Sequence, residues 1–119
     1  MRLKNKVAVI TGAANGIGLS ISEAFAKEGA IVFAADVDEK KGKAEAERLS
    51  SGGAIVRSLK CDVGLTADVN HLVKTASNEF FRIDVLVNNA AIAINGNITE
   101  MPETDWDILM NTNLKSVYR

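Results

Sequence analysis

The sequence is poor in the residues that define several classes of small protein. Its 119 residues include one cysteine, one proline and one histidine, and only 5% are aromatic. The single Cys61 has no partner for an internal disulfide, so we expect a reduced, cytoplasmic protein rather than a disulfide-stabilised secreted domain. One cysteine and one histidine do not make a metal site, and we expect no bound metal.

An excess of charge and a long apolar run are also missing. Lysine and arginine number 14 against 15 acidic residues, a net charge of -1, so electrostatics give no reason to expect nucleic acid or an anionic membrane as partner. No apolar run approaches the roughly 20 residues of a membrane span, and no signal-peptide pattern is visible. With 47% apolar residues, the chain can bury the core of one modest domain.

Short runs rich in valine and isoleucine alternate with helical patterns along the chain. The four runs KVAVIT, AIVFAAD, AIVRSLK and IDVLVNN have the composition of strands buried on both faces. Helical patterns follow each run, and the one from Asp38 to Ser51 is polar. The last helix is predicted to begin at Thr104, a suitable N-cap. Its apolar stripe comprises Trp106, Leu109, Met110 and Val117.

This βαβαβαβα order predicts the N-terminal half of a doubly wound, Rossmann-type α/β fold. Strands separated by helices pair in parallel, because each crossover must return over a face of the sheet. The predicted strand order is 3-2-1-4, with the topological switch between the first and fourth strands. Ligands of such sheets bind beside the switch, at the carboxyl ends of the strands. The glycine-rich segment and the NNAA segment are therefore expected to converge there.

Three glycines follow the first strand, at Gly12, Gly16 and Gly18. Gly12 permits a sharp turn, and bare backbone at the other two lets a ligand or the sheet approach closely. The first N–H groups of the next helix have no internal partners and lie at the positive end of its dipole, which suits a pyrophosphate. The Gly-Lys-Ser/Thr of an ATP-binding loop is missing. The alternative is a tight turn without a ligand.

Asp36 ends the second strand, downstream of these glycines. A carboxylate in this place accepts hydrogen bonds from the two hydroxyls of an adenosine ribose and repels a 2′-phosphate. Neither Asp36 nor the adjoining Val37 is basic, so the sequence favours NAD over NADP. The alternative is that Asp36 caps the next helix, although Asp38 is better placed to do so.

Four motifs follow one another along the chain: TGAANGIG, Asp36, CDV (residues 61–63) and NNAA (residues 88–91). Through these motifs, which stand in the family's usual order, the whole chain resembles the short-chain dehydrogenase/reductase family. Enzymes of that family transfer a hydride between a nicotinamide cofactor and a carbonyl or alcohol. The resemblance implies a nicotinamide-dependent oxidoreductase that acts on a small-molecule alcohol or ketone, and Asp36 favours NAD as its cofactor. It also implies that Asn15 and Ile17 line the phosphate and nicotinamide side of the cofactor.

The resemblance assigns further roles on the adenosine side. The Asp62 carboxylate and the Val63 backbone N–H would hold the adenine. Within NNAA, Asn89 and Ala90 would pass beneath the ribose, and Asn88 would mainly brace the central strand. The last residue of this segment is alanine where the family usually has glycine, and we expect the added methyl to be tolerated.

Asn113 lies on the predicted apolar stripe of the last helix. A buried asparagine costs about 1–3 kcal/mol unless its amide is hydrogen-bonded, so a satisfied core residue is one interpretation. The family has an asparagine in this context, which positions a catalytic lysine through water, and the resemblance therefore places Asn113 in the catalytic set. Asn111, rotated about 200° around the helix, should face elsewhere.

The serine and the Tyr-x-x-x-Lys pair that the family uses in proton transfer have no counterpart here, since no lysine follows Tyr118 at that spacing. The resemblance implies that they lie beyond Arg119. We therefore expect residues 1–119 to be the N-terminal part of one dinucleotide-binding domain, inactive alone, with a full-length parent that forms a homotetramer or homodimer. The alternative is a non-catalytic dinucleotide-binding half-domain.

Overall fold

Strands and helices alternate along the chain, and the computed structural model describes all of residues 1–119. The strands are β1 (Val7–Thr11), β2 (Ile31–Asp36), β3 (Ile55–Lys60) and β4 (Val85–Val87). The helices are α1 (Gly16–Lys27), α2 (Glu39–Ser50), α3 (Thr66–Phe80) and α4 (Glu103–Met110). Helix α4 continues through a π-helical turn (Asn111–Lys115) into the short α5 (Ser116–Tyr118). None of the helices combines the length and the apolar character needed to cross a membrane.

The sheet is parallel throughout, with strand order β3-β2-β1-β4. Both the parallel pairing and the predicted order 3-2-1-4 are confirmed. In the register, Val9 lies between Phe33 of β2 and Leu86 of β4. The carboxyl ends of β1 and β4 therefore meet at the switch, and the segments that follow them lie side by side.

Two hydrophobic cores lie on opposite faces of the sheet. One face carries Val7, Val9 and Phe33 under Leu72 and Ala76 of α3. The other carries side chains of β1, β2 and β3 under α1 and α2. The members of this second core are Ile10, Ala13, Ala26, Ala30, Val32, Ala34, Ala46 and Val56. Every residue of β1 is buried, as its unbroken apolar run predicts for a strand covered on both faces. The same prediction is wrong for the edge strands β3 and β4, which are only partly buried.

Two element boundaries predicted for the last part of the chain are wrong. Helix α4 begins at Glu103 with Pro102 in the N-cap position, so Thr104 lies inside the first turn and does not cap the helix. Proline fixes φ near the value found here, -59°, and its missing N–H costs nothing at a helix start. The predicted strand IDVLVNN is shorter, Val85–Val87. Before it, the Asp84 carboxylate accepts the Val7 N–H at 2.8 Å where a ladder bond would otherwise form, and after it the Asn89 N–H donates to the Thr11 hydroxyl.

The sheet has two unpaired edges, at β3 and at β4. Strand β4 pairs only with β1, and the Leu86 side chain is 57% exposed. On α4 and α5, Trp106 and Val117 are also about half exposed. An unpaired apolar edge strand is a template for association with other chains.

We therefore expect the 119-residue chain, expressed alone, to self-associate. The change Leu86→Lys should raise the monomer fraction measured by sedimentation, because a charge on an edge strand opposes pairing. Val73→Lys is the matched control, since Val73 is an exposed valine on α3, away from the edge. A monomeric unaltered chain, or an equal effect of both changes, would contradict this expectation.

Candidate functional site

The turn after β1 uses its three glycines for different reasons. Gly12 and Gly16 have φ of +66° and +57°, the left-handed region that favours glycine. A Cβ at Gly18 would overlap the carbonyl oxygen of Gly12, whereas a Cβ at Gly16 would meet nothing within 4 Å. The sequence offered two reasons for these glycines: close packing within the protein and close approach of a ligand. Gly18 is required for close packing, whereas Gly16 leaves open space that a ligand could occupy.

The N-terminus of α1 offers a set of free donors. The backbone N–H groups of Asn15, Gly16, Ile17 and Gly18 make no hydrogen bond within the chain, and the Asn15 side chain does not cap the helix. The first turn carries no acidic residue, and the Ile17 side chain is 73% exposed. Free N–H groups and the helix dipole together favour an anion at this end of α1.

Asp36 organises the glycine turn from the end of β2. Its Oδ2 accepts the Ala14 N–H at 2.9 Å, and its Oδ1 accepts the Asp38 N–H at 2.9 Å. Asp38 caps α2 by accepting the Lys41 N–H at 3.0 Å, as the sequence predicted. A carboxylate has about four lone-pair sites, so Asp36 keeps acceptor capacity for a ligand beside the turn.

The segment after β4 is fastened to the glycine turn by Thr11 and Asn89. The Thr11 hydroxyl oxygen accepts the backbone N–H groups of Asn89 and Ala90 at 3.1 and 3.0 Å. The Asn89 Nδ2 donates to the carbonyl oxygens of Thr11 and Gly12 at 3.0 and 3.3 Å. The bracing role predicted for Asn88 therefore falls to Asn89. Thr11 was missed, although a threonine that ends an otherwise apolar strand is a usable signal.

The β3–α3 turn presents two groups that suit a heteroaromatic ring. Asp62 Oδ1 accepts the Gly64 N–H at 2.8 Å, and the Asp62 N–H donates to Asp68 Oδ2 at 2.9 Å. The second carboxylate oxygen of Asp62 and the N–H of Val63 make no hydrogen bond within the chain. One acceptor and one donor therefore remain free on adjacent residues. The role of Asp68 in holding this turn is not predicted by the sequence pattern.

Cys61 lies beneath this turn and is 3% exposed. Burial, followed by the nearby charges of Asp68 and Asp62, raises the pKa of its thiol from 9.0 to about 11. At pH 8 the reactive thiolate should therefore be roughly a hundredfold rarer than in the unfolded chain.

We expect iodoacetamide to alkylate Cys61 at pH 8 about a hundredfold more slowly in the folded protein than in urea. The comparison needs only mass spectrometry of the two reactions over time. Folded and unfolded rates within a factor of five of each other would show that the thiol is neither buried nor held protonated.

Asn113 lies on the π-helical turn and binds a single residue of the segment after β4. Its Oδ1 accepts the Ile92 N–H at 2.8 Å, and its Nδ2 donates to the Ile92 carbonyl oxygen at 2.8 Å. Asn113 is exposed rather than buried, so the interpretation as a satisfied core residue fails on burial. Asn111 points away from it, towards Gly64, as predicted.

These segments enclose one cavity of about 530 Å³ at the carboxyl ends of the strands. Most of the predicted cofactor-binding residues line it. They are Gly12, Asn15, Asp36, Asp62, Val63, Asn89 and Ala90, joined by Val37, Cys61, Ala91, Ile92, Ile108 and Thr112. Gly16, Ile17 and Gly18 lie at the adjoining start of α1, outside the lining. The structure also contains no group of three side chains suited to holding a metal ion.

Comparison with known proteins agrees with this geometry. A profile described as short chain dehydrogenase matches residues 6–119. The chain belongs to this family. This short-chain dehydrogenase sequence is 44% identical over 115 residues to the galactitol 2-dehydrogenase of Agrobacterium fabrum. It is 39% identical over 118 residues to the (2S)-[(R)-hydroxy(phenyl)methyl]succinyl-CoA dehydrogenase subunit BbsD of Thauera aromatica.

The short-chain dehydrogenase fold is also seen in a solved structure. The crystal structure of a short chain dehydrogenase from Mycobacterium smegmatis superposes with a TM-score of 0.93 at 34% identity, covering 98% of this chain and 50% of that one. The two curated relatives are likewise covered over 44% and 48% of their length, against 97% and 99% of this chain. The chain thus spans about half the length of the relatives it matches.

Proposed function

We propose that this chain forms the NAD(H)-binding part of an oxidoreductase that transfers a hydride between the cofactor and a small-molecule alcohol or ketone. One observation carries the proposal. A single cavity brings together the glycine turn, Asp36, the Asp62–Val63 pair and the Asn89–Ala90 segment. The names of the relatives, which are dehydrogenases, agree with this class of reaction.

The free groups around the cavity fit the parts of a dinucleotide. Four unpaired N–H groups at the start of α1 match the charge of a pyrophosphate, and no acidic side chain in that turn opposes it. The Val63 N–H and the free oxygen of Asp62 match the acceptor and donor edge of adenine. When bound, the cofactor would supply the hydride chemistry, and the residues of this chain would bind and orient it.

Asp36 supports NAD as the cofactor. Its carboxylate borders the cavity with acceptor capacity left for the ribose hydroxyls, and its negative charge opposes a 2′-phosphate. The neighbouring Val37 also lines the cavity and brings no positive charge. NADP is therefore the less favoured cofactor.

Asn113 would act in this enzyme as a positioning residue. Its two hydrogen bonds to Ile92 fix the segment after Ala90 against the π-helical turn. We propose that proton transfer and substrate binding use residues of a longer parent protein, which assembles as a homotetramer or homodimer. The open edge at β4 is consistent with further structure covering it.

Titration of NADH and NADPH against the protein at its full encoded length tests the cofactor assignment. We expect the cofactor fluorescence to report tighter binding of NADH. Turnover with a panel of alcohols and ketones then separates an enzyme from a dinucleotide-binding protein without activity. A protein that binds neither cofactor, or that prefers NADPH, would overturn the assignment.

A further inference from the structure

Arg119 connects α5 to the β3–α3 turn by hydrogen bonds of its guanidinium group. Its Nη1 donates to the Val63 carbonyl oxygen at 3.0 Å, and its Nε donates to the Thr66 hydroxyl at 3.0 Å. Its Nη2 donates to Asn111 Oδ1 at 2.7 Å. One planar guanidinium group thus holds the turn, the first residue of α3 and the π-helical turn together.

Asn111 completes this connection from the π-helical turn. While its Oδ1 accepts from Arg119, its Nδ2 donates to the Gly64 carbonyl oxygen at 3.0 Å. The Gly64 backbone has little free space here, since an added Cβ would lie 3.0 Å from Asn111 Nδ2. Two adjacent carbonyl groups of the turn, those of Val63 and Gly64, are therefore held from the same side.

The π-helical turn explains how the side chains of Asn111 and Arg119, eight residues apart, come to lie on the same side of the helix. Eight residues of a regular α-helix would leave Arg119 about 80° around the axis from Asn111. A π turn absorbs one extra residue, which reduces that offset to roughly 20°. The guanidinium group thereby reaches the Asn111 side chain and the turn beyond it. Asn113, two residues after Asn111, is left facing Ile92 instead.

The same β3–α3 turn carries the free groups assigned above to adenine. The carboxylates of Asp62 and Asp68 hold the turn by accepting the Gly64 and Asp62 N–H groups. Arg119 and Asn111 bind its carbonyl oxygens instead, and the Val63 N–H stays unpaired. Ile108 and Thr112, which flank Asn111 along the same helical segment, line the cavity opposite this turn.

We infer that Asn111 and Arg119 form a clamp that sets the position of the Val63 N–H, and so the affinity of the site for the adenine half of the cofactor. The inference rests on the proposed function. Both are positioning residues, because neither lines the cavity. The clamp should act on adenine-containing ligands and leave the nicotinamide half of the site unchanged.

The test uses Arg119→Ala and Asn111→Asp in the protein at its full encoded length. Asn111→Asp keeps an acceptor for Arg119 but removes the donor to the Gly64 carbonyl oxygen. Arg57→Ala is the matched control, because it removes an exposed arginine that pairs with Glu79 on the outside of the fold. The probes are AMP and nicotinamide mononucleotide, each measured by displacement of NADH, together with amide hydrogen exchange at residues 62–66.

We expect Arg119→Ala to weaken AMP binding about tenfold and Asn111→Asp to weaken it less, with nicotinamide mononucleotide changed less than twofold. Exchange at residues 62–66 should accelerate in both variants and not in Arg57→Ala. If the variants lost equal affinity for AMP and for nicotinamide mononucleotide, the contacts of Arg119 and Asn111 would contribute only to overall stability. That result would overturn the clamp. Unchanged exchange in Arg119→Ala would overturn it whatever the ligand result. If the unaltered protein bound neither AMP nor NADH, the proposed function would fall, and the adenine role of the clamp with it.

Discussion

Replacement of Gly18 by alanine is expected to destabilise the fold by roughly 3 kcal/mol, the upper end for overpacking a close contact. The added Cβ would overlap the carbonyl oxygen of Gly12 and lie 2.6 Å from Asn89 Nδ2. Neither neighbour yields easily, because Asn89 holds the Thr11 and Gly12 carbonyl groups at the switch between β1 and β4. Chemical denaturation of the variant at its full encoded length measures the loss.

Gly16→Ala is the matched control for this change. A Cβ at Gly16 meets no atom within 4 Å, so only its φ of +57° opposes the alanine, at about 1 kcal/mol. The variant should remain folded yet bind NADH more weakly, since the methyl enters the space proposed for the pyrophosphate. Similar stability losses in the two variants would show that Gly18 is not a packing residue.

The sheet follows from the sequence because its determinants are local and repeated. Unbroken apolar runs such as Val7–Thr11 indicate strands buried on both faces, and helices between them require parallel crossovers. The limits of the last strand were not predictable in this way. Where β4 begins to pair with β1 depends on Asp84, whose carboxylate accepts the Val7 N–H from a position 77 residues away in sequence.

Roles in the site were predictable from the sequence where the position of a residue in its element determines its contact. Asp38 caps α2 because it directly precedes the first helical residue, where its carboxylate reaches the Lys41 N–H. Asn88 and Asn89, by contrast, are adjacent residues of the same type. Which of the two side chains reaches the Thr11 carbonyl oxygen depends on the backbone conformation at the end of β4. No amino-acid pattern predicts the π-helical turn. The contact between Arg119 and Asn111, which depends on that turn, is therefore visible only in the folded structure.

Asp36→Asn is expected to shift the ratio of NADH to NADPH affinity by at least tenfold towards NADPH. A carboxylate and a 2′-phosphate about 4 Å apart repel by roughly 4 kcal/mol near a protein surface, a value that salt reduces. Asparagine removes the charge and keeps one carbonyl oxygen for the Ala14 N–H. Alanine would leave that N–H and the Asp38 N–H without their acceptors, and binding of both cofactors would suffer.

The control for this change is Asp38→Asn, which alters a carboxylate two residues away that caps α2 instead of lining the cavity. It should leave the ratio of the two affinities unchanged. Raising the salt concentration should narrow the difference between NADH and NADPH in the unaltered protein and have less effect in Asp36→Asn, because only a charge–charge term is screened. A ratio that is unaffected by Asp36→Asn and by salt would mean that the cofactor preference is set by the shape of the cavity, without a contribution from this carboxylate.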